Sequence, residues 1–210
     1  SGIPPNSWAF SRSILPLDYN PARASDLLRQ AGYSHSVDGM LGPDGRPLTL
    51  RLLFNTGNLQ REQIAQMVQR FLGDLGIVVE LVQLEFSLYV DRLQTPPFDY
   101  DLYILGWRSS ADPASTRDIW ARDTIPAVNC GAYENARVEE LFDQAARTFD
   151  RAERTRLYDE VQRILAEDLP YIFLWSRKSL VGLRKRVRGA VQSPLGPLYN
   201  AHDLCLLDAR

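Results

Sequence analysis

The chain has 210 residues, 45% of them hydrophobic and 24% charged, with a formal net charge of -2. That length holds one sizeable domain or two small ones, and the balance excludes a disordered or collagen-like chain. The charge offers nucleic acid no global positive field, and no apolar run approaches the ~18 residues of a membrane span. Two cysteines, Cys130 and Cys205, allow at most one bridge, so neither a disulfide scaffold nor a zinc site is expected. The opening Ser1-Gly2-Ile3-Pro4-Pro5-Asn6 is unlike a signal sequence and reads as an internal segment.

Residues 1–20 are interrupted by prolines and show little periodicity, which predicts an extended path over a surface. Asn20-Pro21 then starts a helix, with Ala24, Leu27, Leu28 and Ala31 at helical spacing and Gly32 as a left-handed stop. Two Asp-Gly pairs between Val37 and Pro47 mark a hairpin or turn that leads into a strand over Leu48–Phe54. From Leu59 to Leu75, the residues Ile64, Met67, Val68, Phe71, Leu72 and Leu75 form one apolar stripe of a second helix, stopped by Gly76. Ile77–Leu84 alternates as a strand with Val79 and Leu81 on one face. A short helix over Ser87–Leu93 ends at Pro96-Pro97. Tyr100–Trp107 is dense in apolar residues and is expected to be a central strand.

Asn135 caps a further helix whose inner face is read as Val138, Leu141, Phe142, Ala145 and Phe149. Asp150 with Glu153 forms a capping box for the next, which carries Leu157, Val161, Ile164 and Leu165 inward. Pro170 blocks its extension, and Tyr171–Trp175 and Leu180–Leu183 are expected as strands. Helices between strands give an α/β layer structure.

The loop after Tyr100–Trp107 is the best candidate for a ligand face, because sites in open α/β sheets lie beyond the carboxyl ends of strands. Trp107 supplies a stacking plane, while Arg108, Ser109 and Ser110 supply donors; the competing reading makes Trp107 core and Arg108 a solvated charge. Asp112-Pro113 is expected to start a helix rather than to touch ligand. Asp99 and Asp101 share one face of a strand entrance and read as a solvated edge, not a catalytic pair. His35 and His202 lie far apart in sequence without acidic clusters, so no metal or cofactor is expected. The run Arg184-Lys185-Arg186-Val187-Arg188 reads as an exposed edge strand, with contact to an acidic lipid surface or a partner protein as the alternative.

Five segments carry a family resemblance. Tyr19-Asn20-Pro21 through Ala31-Gly32-Tyr33 resembles a segment of the extracellular solute-binding proteins of family 5, the oligopeptide, dipeptide and nickel-binding components of ABC importers. Asp44-Gly45-Arg46-Pro47-Leu48 is similar to their turn before a strand, and Phe98-Asp99-Tyr100-Asp101-Leu102 with Gly106-Trp107 and Asp112-Pro113 to a second block. Asn129 with Tyr133, and Tyr158 through Pro170, match two more.

The resemblance implies one lobe of a class II periplasmic-binding-protein-like fold, with a mixed sheet flanked by helices. Residues 1–210 would be the C-terminal lobe, with 1–20 following a lobe crossing and 190–210 returning, near Leu195-Gly196-Pro197-Leu198-Tyr199. It also implies a non-enzymatic monomer outside the cytoplasm, anchored through a lipid signal beyond this sequence. Its partners would be a peptide or other small polar solute, the N-terminal lobe of the same protein and an ABC permease, with no nucleic acid. Phe86 lies where relatives carry an aromatic, so it joins Trp107, Arg108, Ser109 and Ser110 as a ligand-binding candidate. In peptide-binding members an aspartate stands three residues after the tryptophan; here it is Ser110, and Ile104 replaces an arginine three residues before. Sugars, opines or other polar solutes therefore compete with peptides. A solute-sensing domain of a transcription regulator and a hydrolase using Asp99 and Asp101 are the rival functions.

Overall fold

The computed structural model describes all residues except Ser1, Asp38, Ser109, Ser179, Gln192, Pro194, Leu195, Pro197 and 208–210. Two units partition the chain: Leu17–Trp107, and Ser1–Pro16 together with Arg108–Arg210.

In Leu17–Trp107 the first helix, α1 (Pro21–Gln30), starts as its sequence dictates. The Asn20 side chain accepts the Arg23 N–H at 2.9 Å, and Pro21 occupies the first turn, where its missing N–H costs nothing. Gly32, at φ +90°, lets Tyr33 N–H reach back to the Leu28 carbonyl at 3.0 Å and closes the helix. No residue of α1 is buried, so its apolar stripe lies open. The expected hairpin follows as β1 (Ser34–Ser36) antiparallel to β2 (Gly39–Leu41); Asp38 of its turn is outside the described residues.

The sheet of this unit has three parallel strands in the order β4 (Val78–Leu84), β3 (Thr49–Asn55), β5 (Leu102–Tyr103). The second helix, α2 (Leu59–Gly73), connects β3 to β4 and packs Ala65, Val68 and Leu72 against Leu52, Phe54 and Val79. The small Ala65 is the residue of α2 that is buried, whereas Met67 and Phe71 of the expected stripe face outward. Phe71 meets the Tyr19 ring at 5.4 Å instead.

One expectation is corrected here. The central strand is β3, buried at its last four positions, whereas the Tyr100–Trp107 segment contributes two residues at one edge. A strand flanked on both sides needs apolar residues on both faces, and Leu52–Phe54 meets that condition. The third helix, α3 (Phe86–Gln94), follows β4 and is capped by Glu85.

The second unit is built on α4 (Ala136–Arg147) and α5 (Arg151–Asp168), joined by 148–150 and capped by Asn135 and Asp150. Val138, Leu141, Phe142 and Ala145 meet Leu157, Tyr158, Val161 and Leu165 in one core. Phe149 is fully exposed, contrary to its predicted inward place. The helix ends at Arg147 and Thr148 is extended, so helical periodicity no longer governs where residue 149 points. The proline-interrupted N-terminal segment is not confined to a surface either, since Ile3 and Ala9 are core residues. Gly2 lies against Trp120, where an added Cβ would come within 2.9 Å of the indole.

Tyr171–Trp175 and Leu180–Leu183 form no strand among the described residues, and Ile172, Leu174, Trp175 and Leu180 are exposed. Of the basic run, Val187–Arg188 makes β6, antiparallel to β7 (Cys205–Leu206). Cys130 is buried, Cys205 is exposed, and no disulfide joins them.

Truncating the packed face and the exposed ring should therefore differ sharply. Leu141→Ala should lower stability by ~2–5 kcal/mol, the range for a buried leucine that leaves a cavity. Phe149→Ala should stay within ~0.5 kcal/mol, because the ring loses no contact on removal. Urea unfolding monitored by circular dichroism separates the two.

Candidate functional site

The carboxyl ends of β3, β4 and β5 lie along one edge of the parallel sheet, the edge where open α/β sheets hold ligands. Asn55, the last residue of β3, is buried there. Its Oδ1 accepts Arg61 Nη1 at 2.6 Å, and its Nδ2 donates to the Thr56 carbonyl at 2.6 Å. Asn58 caps α2 by accepting the Arg61 N–H at 3.1 Å. Arg61 is thus held at its backbone and at its guanidinium. A Cβ placed on Gly106 would lie 3.9 Å from Arg61 Nη2, so the cation sits beside the chain just before Trp107.

That chain segment is itself fixed. Ile104 N–H donates to the Leu53 carbonyl at 3.0 Å, and the buried Tyr89 donates its hydroxyl to the Ile104 carbonyl at 2.9 Å. Beyond these anchors Trp107 is 42% exposed, and Phe86, the first residue of α3, is 51% exposed. They follow the two outer strands of the same sheet. Glu85, beside Phe86, has its carboxyl held below the usual range chiefly by the Ser87 N–H, and so remains an anion committed to its helix.

Arg108 and Ser110 belong to the other unit, and Ser109 is outside the described residues. Arg108 is exposed. Ser110 donates Oγ to the Asp112 carbonyl at 3.0 Å, while its N–H donates to Ser115 Oγ at 3.2 Å. Asp112 caps the short turn Pro113–Ile119 by accepting the Ala114 N–H at 2.9 Å. It also accepts Arg154 Nη2 at 2.7 and 3.0 Å. Arg154 in turn lies over the rings of Trp8 and Tyr158.

The other acids are structural. Asp99 pairs with Arg92 at 2.7 Å, which holds its carboxyl low, and Asp101 accepts the Arg51 N–H at 2.7 Å. A depression of about 280 Å³ lies beside them, lined by Arg51, Leu53, Val82, Leu84, Arg92 and Asp99. None of the predicted ligand residues that the structure describes lines it. Sequence reasoning missed Asn55, Arg61 and Arg154. An asparagine at a strand's carboxyl end, followed by an arginine in the first helical turn, was a usable signal for the first two. The pairing of Arg154 with a residue 42 positions away left no local trace.

Residues 1–125 match the family described as bacterial extracellular solute-binding proteins, family 5 Middle. The oligopeptide-binding protein AppA of Bacillus subtilis is 31% identical over 199 residues, 93% of this chain and 37% of that protein. The di/tripeptide-binding protein 1 of Pseudomonas aeruginosa is 28% identical over 200 residues, 93% of this chain and 35% of its own length. The structure of Bacillus subtilis AppA in complex with a nonapeptide superposes with a TM-score of 0.84 at 29% identity, covering 99% of this chain and 42% of that one. NikZ from Campylobacter jejuni, solved with Ni(L-His), shares the fold at a TM-score of 0.78 and 23% identity, over 94% of this chain and 41% of its own. The chain therefore spans about a third of the length of the curated relatives it matches.

Asp112 generates a pH prediction. Burial pushes its carboxyl up, but the Ala114 amide and the Arg154 guanidinium outweigh it, and the net value is lowered. A lowered folded value adds stability above the ordinary aspartate value of about 4, lost as pH falls through the lower folded value. Asp112→Asn should remove that acid-side component and leave the slope above neutrality unchanged. Urea midpoints measured from pH 6 down to pH 2 check it.

Proposed function

The chain belongs to the bacterial extracellular solute-binding proteins, family 5, and we propose that it forms one lobe of a receptor for a small polar solute. In that reading it captures a peptide or similar molecule together with a second lobe of the same polypeptide and delivers it to an ABC permease. The observation that carries the proposal is the sheet edge where Trp107 and Phe86 stay half exposed, with the braced Arg61 beside Gly106. Large rings left open at the carboxyl end of a parallel sheet are suited to stacking on a ligand, not to packing a core. The names of the relatives, which include oligopeptide- and di/tripeptide-binding proteins, support peptide as the leading solute class.

The family is one of binding proteins rather than enzymes. The Asp99 and Asp101 carboxylates, committed to Arg92 and to the Arg51 backbone, offer no free acid–base pair. Among the described residues no helix is long and apolar enough to cross a membrane. We place the protein outside the cytoplasm, as the periplasmic relatives are, held by a lipid anchor and acting as a monomer. The exposed Ile172, Leu174, Trp175 and Leu180 fit a surface that the second lobe covers.

The test uses the full polypeptide with both lobes, titrated calorimetrically with a panel of short peptides. Trp107→Ala should weaken the best ligand by ~1–3 kcal/mol through loss of a stacking plane, with the melting temperature unchanged. Ser110→Asp should improve ligands bearing a free amino group. If Trp107→Ala lowers stability and leaves affinity intact, the indole is core and the site lies elsewhere.

A further inference from the structure

From Leu102 to Arg117 the sequence contains one carboxylate, Asp112, so within this stretch it alone could hold a cationic group of a solute. The structure has already filled it. Arg154 Nη2 reaches both oxygens, at 2.7 and 3.0 Å, and the Ala114 N–H occupies Oδ1 as well. The guanidinium is not free to swing away. It lies 5.2 Å from the Trp8 ring centroid and 5.6 Å from that of Tyr158, and its Nη2 also donates to the Tyr158 hydroxyl at 3.1 Å. The Arg154 side chain is 18% exposed, against 53% for Asp112.

Among the described residues Arg154 Nε is buried with no hydrogen-bond partner. A guanidinium in that condition, if it also lost its carboxylate, would be a poorly solvated cation between two rings. Such a charge is costly to leave uncompensated. The same carboxylate-bearing residue fixes the loop through its backbone, because the Asp112 carbonyl accepts both Ser110 Oγ and Ser115 Oγ. Ser110 therefore spends its hydroxyl proton on that carbonyl and offers a neutral oxygen, not a carboxylate, to any group beside it.

We propose that Arg154 is a positioning residue that neutralises Asp112 and holds the loop before Ser115, so that the solute group seated there carries no free ammonium. The group it fits is neutral: an amide, an acylated amine or a hydroxyl. This rests on the reading that the loop faces solute, and the experiment separates the two.

Trialanine and N-acetyl-trialanine, identical except for the charged amine, are titrated into the full polypeptide. The wild-type protein should bind the acetylated form at least as tightly as the free one. Arg154→Gln releases the Asp112 carboxylate and should shift the ratio toward trialanine by ~10-fold or more, the scale of a charge-assisted bond. Arg154→Lys keeps the ion pair and should leave the ratio unchanged. In Arg154→Gln with Asp112→Asn the gain should vanish, which a merely structural loss at residue 154 would not produce.

Ser110→Asp is the control, since it adds a carboxylate without touching Arg154. If Ser110→Asp shifts the ratio and a folded Arg154→Gln does not, the role given to Arg154 is wrong while the loop still faces solute. If neither shifts it, the loop does not meet solute and both readings fall. A wild-type preference for trialanine also overturns the proposal. Should Arg154→Gln fail to fold, Arg154→Met, whose unbranched apolar stem can stay against Trp8 and Tyr158, takes its place and should give the same shift toward trialanine.

Discussion

Three residues on one face of α5 hold together segments that are far apart in the chain. Arg154, Tyr158 and Gln162 recur every fourth position, so their side chains stand one above another along the helix. Gln162 donates to the Ala9 carbonyl at 2.8 Å and accepts the Ser11 N–H at 3.2 Å, which fastens the N-terminal segment to the helix. Tyr158 contacts Trp8 and Phe142 edge-on, with centroids 5.9 Å away in each case, and so joins that segment to α4. Arg154 closes the row at Asp112. A buried amide without those partners would carry a desolvation cost of ~1–3 kcal/mol. The conformation of the first sixteen residues therefore depends on a helix 150 positions later, and so does the loop at Ser110.

The sequence was most legible where structure is local. The caps Asn20, Asn135, Asp150 and Asp112 all accept the backbone amides expected of them, because a side-chain acceptor two or three residues before an open N–H needs no tertiary help. The alternation that put Val79 and Leu81 of β4 on one face also holds, since both pack toward the α2 side of the sheet. Phe149 shows the limit of such reasoning. Its spacing continued the stripe of α4, yet the helix had already ended, and periodicity has no meaning past a terminus. The N-terminal segment failed for the opposite reason: no local pattern marks Ile3 and Ala9 as core, because their partners all come from far along the chain.

The site was legible in part and along the same line. The rule that ligands gather beyond the carboxyl ends of parallel strands is what singled out Trp107, and the structure leaves that ring half exposed. What the rule could not supply was the bracing beneath. Arg61 is seated by Asn55 and Asn58, Ile104 by Tyr89, and Asp112 by Arg154, each through a contact that aligns only once the elements are packed. Such supporting contacts decide what the exposed groups can do. A serine whose proton is taken by a neighbouring carbonyl is an acceptor toward solvent, and an aspartate already paired with arginine is not an anion available to a second cation.

Strands account for the remaining differences, and the cause is general. A helix satisfies its own backbone, whereas a strand exists only beside another strand. Tyr100–Trp107 and Tyr171–Trp175 both have strand composition, rich in aromatic and β-branched residues. The first finds β3 along two residues and then departs, and the second finds no partner among the described residues. Composition thus recorded a tendency that this chain satisfies only in part. The exposed Ile172, Leu174 and Trp175 mark where that tendency is unmet, and an exposed apolar strand former is an unstable arrangement in water. The helices, which satisfy their own backbone, carry most of the buried core, while the strand-forming composition of 171–175 goes unused among the described residues.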